Sequence, residues 1–148
     1  EEGKARARSL LQEAIDNRDV DQLQSAIDEG ERAGLDEDEL DPARVALANE
    51  LRKVNARNDL KKAMASKDAA QLRAAVKNGE AAGLQPSELQ EARALLGEEE
   101  GRELARQALH NAMSSGDPDL LRIAIQGGES VGLDEDELDK ARQKLKQF

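Results

Sequence analysis

The sequence predicts an all-α protein, and three observations carry that prediction. Its vocabulary is Ala, Leu, Glu, Asp, Arg and Gln, which favour helices over strands. No run of Val, Ile or aromatic residues is long enough for a strand; Thr is absent and Phe148 is the sole aromatic residue. Third, apolar positions recur at spacings of three and four, as on one helix face.

Those positions belong to a larger period. Aligned without gaps as 1–49, 50–98 and 99–147, with Phe148 left over, the chain carries the same residue in all three copies at 17 of 49 positions. This predicts three tandem helical repeats, 1–49, 50–98 and 99–148. Leu11, Leu60 and Leu109 align, as do Leu23, Leu72 and Leu121, and Leu40, Leu89 and Leu138. Such sets form apolar faces that stacking neighbours can bury.

The first helix of each unit falls at about 5–17 in unit numbering. The second, at about 20–33, is announced by Asp19, Asp68 and Asp117 as N-caps. Gln22 and Gln71 occupy the capping-box position of the first two, and Pro118 the first helical slot of the third. Gly34, Gly83 and Gly132, each followed by Leu, read as left-handed helix stops. A third helix starts at once, at about 36–48. Asp36 with Glu39 and Asp134 with Glu137 read as capping boxes; copy two has Gln85-Pro86-Ser87-Glu88 in the same place.

The joins between units differ from the turns within them. Residues 48–57 contain no Gly, Pro or cap, so the third helix is expected to run on as the next unit's first, making one helix over 36–66 of about 45 Å. The second join holds Gly97 and Gly101, which together weaken a helix by about 2 kcal/mol relative to Ala, but its register matches the first. Short turns with merged joins predict an elongated array.

A three-helix unit running into the next is similar in layout to spectrin repeats and to α-solenoids. Spectrin units are about twice as long and carry aromatic signatures this chain lacks, and the tetratricopeptide, ankyrin and armadillo patterns do not match. The resemblance therefore implies an architecture and no particular family.

Composition narrows function by exclusion. The formal net charge is −10, which opposes binding to nucleic-acid phosphates or to an anionic membrane surface. No apolar run is long enough to span a bilayer. With no cysteine, disulfides, thiol catalysis and Cys-ligated zinc are out of reach. The expected setting is intracellular, in the cytoplasm, with protein partners and neither nucleic acid, membrane nor small-molecule substrate.

Candidate chemistry gives way to structural readings. Asp36-Glu-Asp-Glu-Leu-Asp41 lacks the ligand spacing of a calcium loop, since Leu40 and Asp41 stand where an oxygen ligand and a glycine belong. Its carboxylates instead complement a helix N-terminus. His110, the only histidine, aligns with Gln12 and Lys61 and so reads as a surface residue. Gly127-Gly128 has neither the strand before it nor the Lys after it that a phosphate loop needs. Catalytic residues, metal ligands and cofactors are accordingly expected to be none.

Gly30, Gly79 and Gly128 recur inside the second helix, where glycine is unfavourable by about 1 kcal/mol. They imply close approach of a neighbouring helix or an early helix end; the functional alternative is a partner groove. Arg8, Arg57 and Arg106, with Arg44, Arg93 and Arg142, are placed to pair with Glu31, Glu80 and Glu129.

The copies carry unequal charge: 6 basic against 14 acidic, 9 against 7, and 7 against 11, for nets of −8, +2 and −4. The surface has diverged while buried and capping positions have not, and no large apolar patch is expected. A non-catalytic scaffold or spacer is the reading these features favour. The alternatives are a designed or consensus repeat without biological activity and, remotely, a metal-binding or enzymatic bundle.

Overall fold

The computed structural model describes all of residues 1–148. Seven α-helices and no strand make up the chain: α1 (Glu2–Asn17), α2 (Val20–Ala33), α3 (Glu37–Ser66), α4 (Ala69–Ala82), α5 (Pro86–Ser115), α6 (Pro118–Ser130) and α7 (Glu135–Lys146). The fold is all-α. No helix is long and apolar enough to cross a membrane.

The helix expected over 36–66 is α3, 30 residues without a break. Its one proline, Pro42, lies in the second turn and forfeits a single backbone donor. α5 is also 30 residues long and continues through Gly97 and Gly101, so the two glycines do not end it. Their missing side chains lower helix propensity, but two weak positions in eight turns leave the hydrogen-bond ladder intact.

Packing gathers the chain into two compact units, each discontinuous in sequence. The first comprises Glu1–Lys61 and Lys77–Gln85; the second comprises Lys62–Val76 and Pro86–Phe148.

In the first unit, α1 supplies Ala7, Leu11 and Ala14 to a core shared with Leu23, Ala26 and Ile27 of α2. Leu35, Leu40 and Ala43 close it from the turn and start of α3. Spacings of three and four keep each set on one helical face. In the second unit, Leu109 and Ala112 of α5 meet Leu121, Ala124 and Ile125 of α6, with Leu133, Leu138 and Ala141 closing the far side. Both cores are built from Leu, Ile and Ala, so alanine sets how closely the helices approach.

The turns follow local chemistry. Gly34, Gly83 and Gly132 have φ of 83°, 84° and 75°, the left-handed region expected of them. The following Leu35, Leu84 and Leu133 donate their N–H to the carbonyls of Gly30, Gly79 and Gly128, each at 3.0 Å. That closes the Schellman pattern. α1 stops by a different device: Arg18 turns left-handed at φ 54° and donates its N–H to Ala14 at 2.9 Å.

Candidate functional site

The residues singled out from sequence all lie at helix ends or helix contacts. Asp19 caps α2, its Oδ1 accepting from Gln22 N–H at 3.1 Å. Asp68 accepts from Ala70 N–H at 2.8 Å, and Asp117 from Asp119 and Leu120 N–H at 2.9 and 3.4 Å. The capping-box expectation for Gln22 fails, because its side-chain oxygen accepts from Asn17 Nδ2 at 2.9 Å instead. Around Asp68 and Asp117 the returning bond comes from the preceding serine. Ser66 Oγ accepts from Asp68 N–H, and Ser115 Oγ from Asp117 N–H, both at 3.1 Å. Those serines were not singled out in the sequence; an S-x-D spelling before a helix was the available signal.

At the start of α3, Glu39 Oε2 accepts from Asp36 N–H at 3.2 Å, which is one half of the expected box. The matching residues of α7 do not form it. Asp134 makes no side-chain cap bond, and Glu137 is held at Oε1 by Arg106 Nε at 2.8 Å, leaving a buried Oε2 without a partner. Glu88 lies in the first turn of α5, where a carboxylate favours the helix dipole.

The recurrent glycines are explained by contact. A Cβ placed on Gly30 would stand 2.7 Å from Leu40 Cδ2 and 3.3 Å from Leu35 Cδ1. On Gly128 it would stand 2.9 Å from Leu138 Cδ2 and 3.0 Å from Leu133 Cδ1. Gly79 is likewise buried. Since α2 continues to Ala33, Gly30 serves close approach and does not end the helix.

Ion pairs clasp the helix ends. Arg44 binds Glu31 at 2.8 Å and also Glu37; Arg142 binds Glu129 at 2.7 Å, Glu135 at 2.8 Å and Asp139 at 3.0 Å. Hydrogen bonds donated to Glu37, then Glu31, raise the pKa of Arg44, and those donated to Glu135, Glu129 and Asp139 raise that of Arg142. Arg8 and Arg106 depart from expectation. They pair with Glu39 at 2.6 Å and Glu137 at 2.8 Å, not with Glu31 and Glu129. Those carboxylates sit one helix start further on, within reach of the chain's neighbouring helix.

Two surfaces remain. Between α1 and α2 an open groove of about 500 Å³ is lined by Arg6, Leu10, Gln22 and Ser25, with carboxylates of Glu13, Asp21 and Glu29. His110 is exposed, beside Arg106, Gln107 and Asn111 in a shallow depression. Large apolar side chains are more exposed than the sequence suggested: Leu104 by 67%, Ile123 by 65% and Leu120 by 49%, all on α5 and α6. No group of three or more His, Asp or Glu side chains is arranged to hold a metal ion. No family of known proteins, no curated protein and no solved structure matches the chain.

Proposed function

We propose that this chain is a non-catalytic scaffold or spacer made of three tandem 49-residue units, with the last helix of each unit continuing as the first of the next. One observation carries the reading. α3 and α5 begin and end 49 residues apart (37 to 86, and 66 to 115), as do α2 and α4 (20 to 69, and 33 to 82). Coincident bounds at the sequence period support the reading that repeated residues do repeated structural work. Asp19, Asp68 and Asp117 act as helix caps, Gly34, Gly83 and Gly132 as left-handed stops, and Gly30 and Gly128 as points of close contact, which supports a structural reading of the repeat.

This reading predicts that the dimensions of the chain scale with the number of units. A unit advances the chain by about one short helix, roughly 24 Å. Small-angle scattering on the whole chain should give a radius of gyration above about 20 Å, against about 15 Å for a compact chain of this size. Deleting residues 50–98 joins Asn49 to Glu99 in the same register. The product should stay helical and shorten by about one unit. A radius near 15 Å, or a deletion that unfolds the chain, overturns the spacer reading.

A further inference from the structure

The groove between α1 and α2 lies wholly within the first compact unit. Its floor is apolar: Ala14 and Ala26 are buried, and Leu10 is partly buried beside them. Three carboxylates line it. Asp21 and Glu29 stand eight residues apart on α2, about 12 Å along its axis, and Glu13 joins them from α1. Elsewhere arginines clasp such carboxylates, as Arg44 holds Glu31 at 2.8 Å. Here Glu13 and Asp21 make no ion pair, and Glu29 meets Arg32 only at 3.6 Å. Arg6 also lines the groove, but it stands seven residues from Glu13, about 10 Å along α1. The groove keeps an excess of negative charge. The helix pair does not need it. At the same positions of the 49-residue alignment, copy two carries Lys62, Ala70 and Asn78, and copy three Asn111, Asp119 and Gly127. Asp119 is held by Arg122 at 2.7 Å, and α4 and α6 are helices all the same.

We infer that this groove docks a cationic segment of a partner protein, extended, with two Lys or Arg residues four positions apart and an apolar residue midway. In an extended chain those three side chains share one face, and four residues span about 13 Å, which matches the spacing of Asp21 and Glu29. The apolar side chain covers Leu10. The methylene stems of the cations lie on the alanine floor while their charged heads reach the carboxylates. Charge complementarity selects this occupant: the carboxylates of Glu13 and Asp21 have no partner within the chain, and the net charge of −10 draws cations towards it. The inference gives the proposed scaffold a docking partner and does not rest on its length or shape. Exposed ion pairs are individually weak, so a short segment binds with a dissociation constant on the order of 1 mM. Rising salt weakens it further.

Nuclear magnetic resonance titration of the isotope-labelled whole chain with the end-blocked peptide Lys-Ala-Leu-Ala-Lys, up to about 10 mM (about ten times that constant), tests this. Saturable amide shifts should be confined to the groove, at residues such as Leu10, Glu13, Gln22 and Ser25, and should shrink at high salt. Glu13→Lys, Asp21→Ala and Glu29→Asn together install the residues of copy two. They should weaken binding at least about tenfold while helicity by circular dichroism is unchanged. They also raise the net charge by four, two from Glu13→Lys and one from each of the others. Glu98→Asn, Glu103→Lys and Asp136→Ser, at exposed positions of the second unit, raise it by the same four and should leave binding largely as it is. Absence of saturable shifts in the groove overturns the inference, as does binding that survives the groove substitutions or falls equally in the distant ones. Equal binding of the peptide Glu-Ala-Leu-Ala-Glu does so too. None of these outcomes bears on the radius of gyration, so failure of the docking site and failure of the spacer are told apart.

Discussion

A methyl group on Gly30 would lie 2.7 Å from Leu40 Cδ2, well inside van der Waals contact. Leu40 is 1% exposed, so any shift of its side chain must be taken up by the packed core around it. Gly30→Ala should therefore destabilise the chain by about 1 kcal/mol, since overpacking of about 1–3 kcal/mol outweighs a propensity gain of about 1 kcal/mol. Gly127 is the internal control, because no atom lies within 4 Å of its added Cβ. Gly127→Ala should stabilise by up to about 1 kcal/mol, whereas its neighbour Gly128→Ala should not. Urea denaturation of the three variants separates these signs.

The left-handed helix stops call for opposite substitutions at the two kinds of turn. Gly34 holds φ 83° with no side chain to strain it, so Gly34→Ala should lose about 1 kcal/mol. Arg18 and Lys67 both hold φ 54° despite their side chains, while Gly116 fills the corresponding position of the last turn at φ 75°. Arg18→Gly and Lys67→Gly should each gain up to about 1 kcal/mol. Thermal midpoints moving in the same direction at Gly34 and Arg18 would contradict this assignment.

Much of the helical layout was legible because its punctuation is local. Gly34, Gly83 and Gly132 are needed where the backbone turns left-handed, and Asp19, Asp68 and Asp117 where N–H groups lack partners. Arg18 and Lys67 were not legible as stops, because neither residue type advertises a positive φ. The exposure of Leu120 was not legible for another reason. Leu120 beside the buried Leu121 reads as a broader core stripe, and only the fold shows that the core takes one and leaves the other exposed. The pairing of Arg8 with Glu39 depends on two elements 31 residues apart, which helical spacing alone does not specify.

Capping should discriminate between aspartates that look alike in sequence. Asp19 accepts a backbone N–H, and Asp19→Ala should cost about 1 kcal/mol. Asp134 occupies the N-cap of α7 without making a side-chain bond, so Asp134→Ala should cost clearly less. Equal losses in chemical denaturation would mean that Asp134 caps its helix in solution.

Acid should remove one clasp selectively. The Arg8 guanidinium, and then the Asp36 N–H, hold the Glu39 carboxyl below its ordinary range. A depressed folded-state pKa means that the contribution is present above the unfolded value, about 4.3 for Glu, and is lost as pH falls through the folded value. The stability difference between wild type and Glu39→Gln should be constant near neutrality and shrink below about pH 4. Arg8 itself stays charged throughout and adds no pH dependence in that range. A difference that persists unchanged at pH 2.5, by thermal melts in matched salt, would show that Glu39 acts by packing and not by charge.

The continuity of α3 makes the strongest demand on the chain. Val54 lies near its middle and is 39% exposed, so losing its side chain matters less than losing its backbone donor. Val54→Pro removes one hydrogen bond and sets the ring against the carbonyl of Glu50, at a cost of about 3 kcal/mol or more. Glu37→Pro is the contrasting case. Position 37 is the first residue of α3, the slot that Pro86 occupies in α5, and proline there loses no intrahelical bond. Val54→Ala controls for the side chain and should fall well short of the proline's effect. If α3 is one helix in solution, amide exchange in Val54→Pro should quicken on both sides of position 54. Fast exchange across 48–57 already in the wild type, or a loss no greater than that of Glu37→Pro, would mean that the chain turns there and that the two halves of α3 are separate helices.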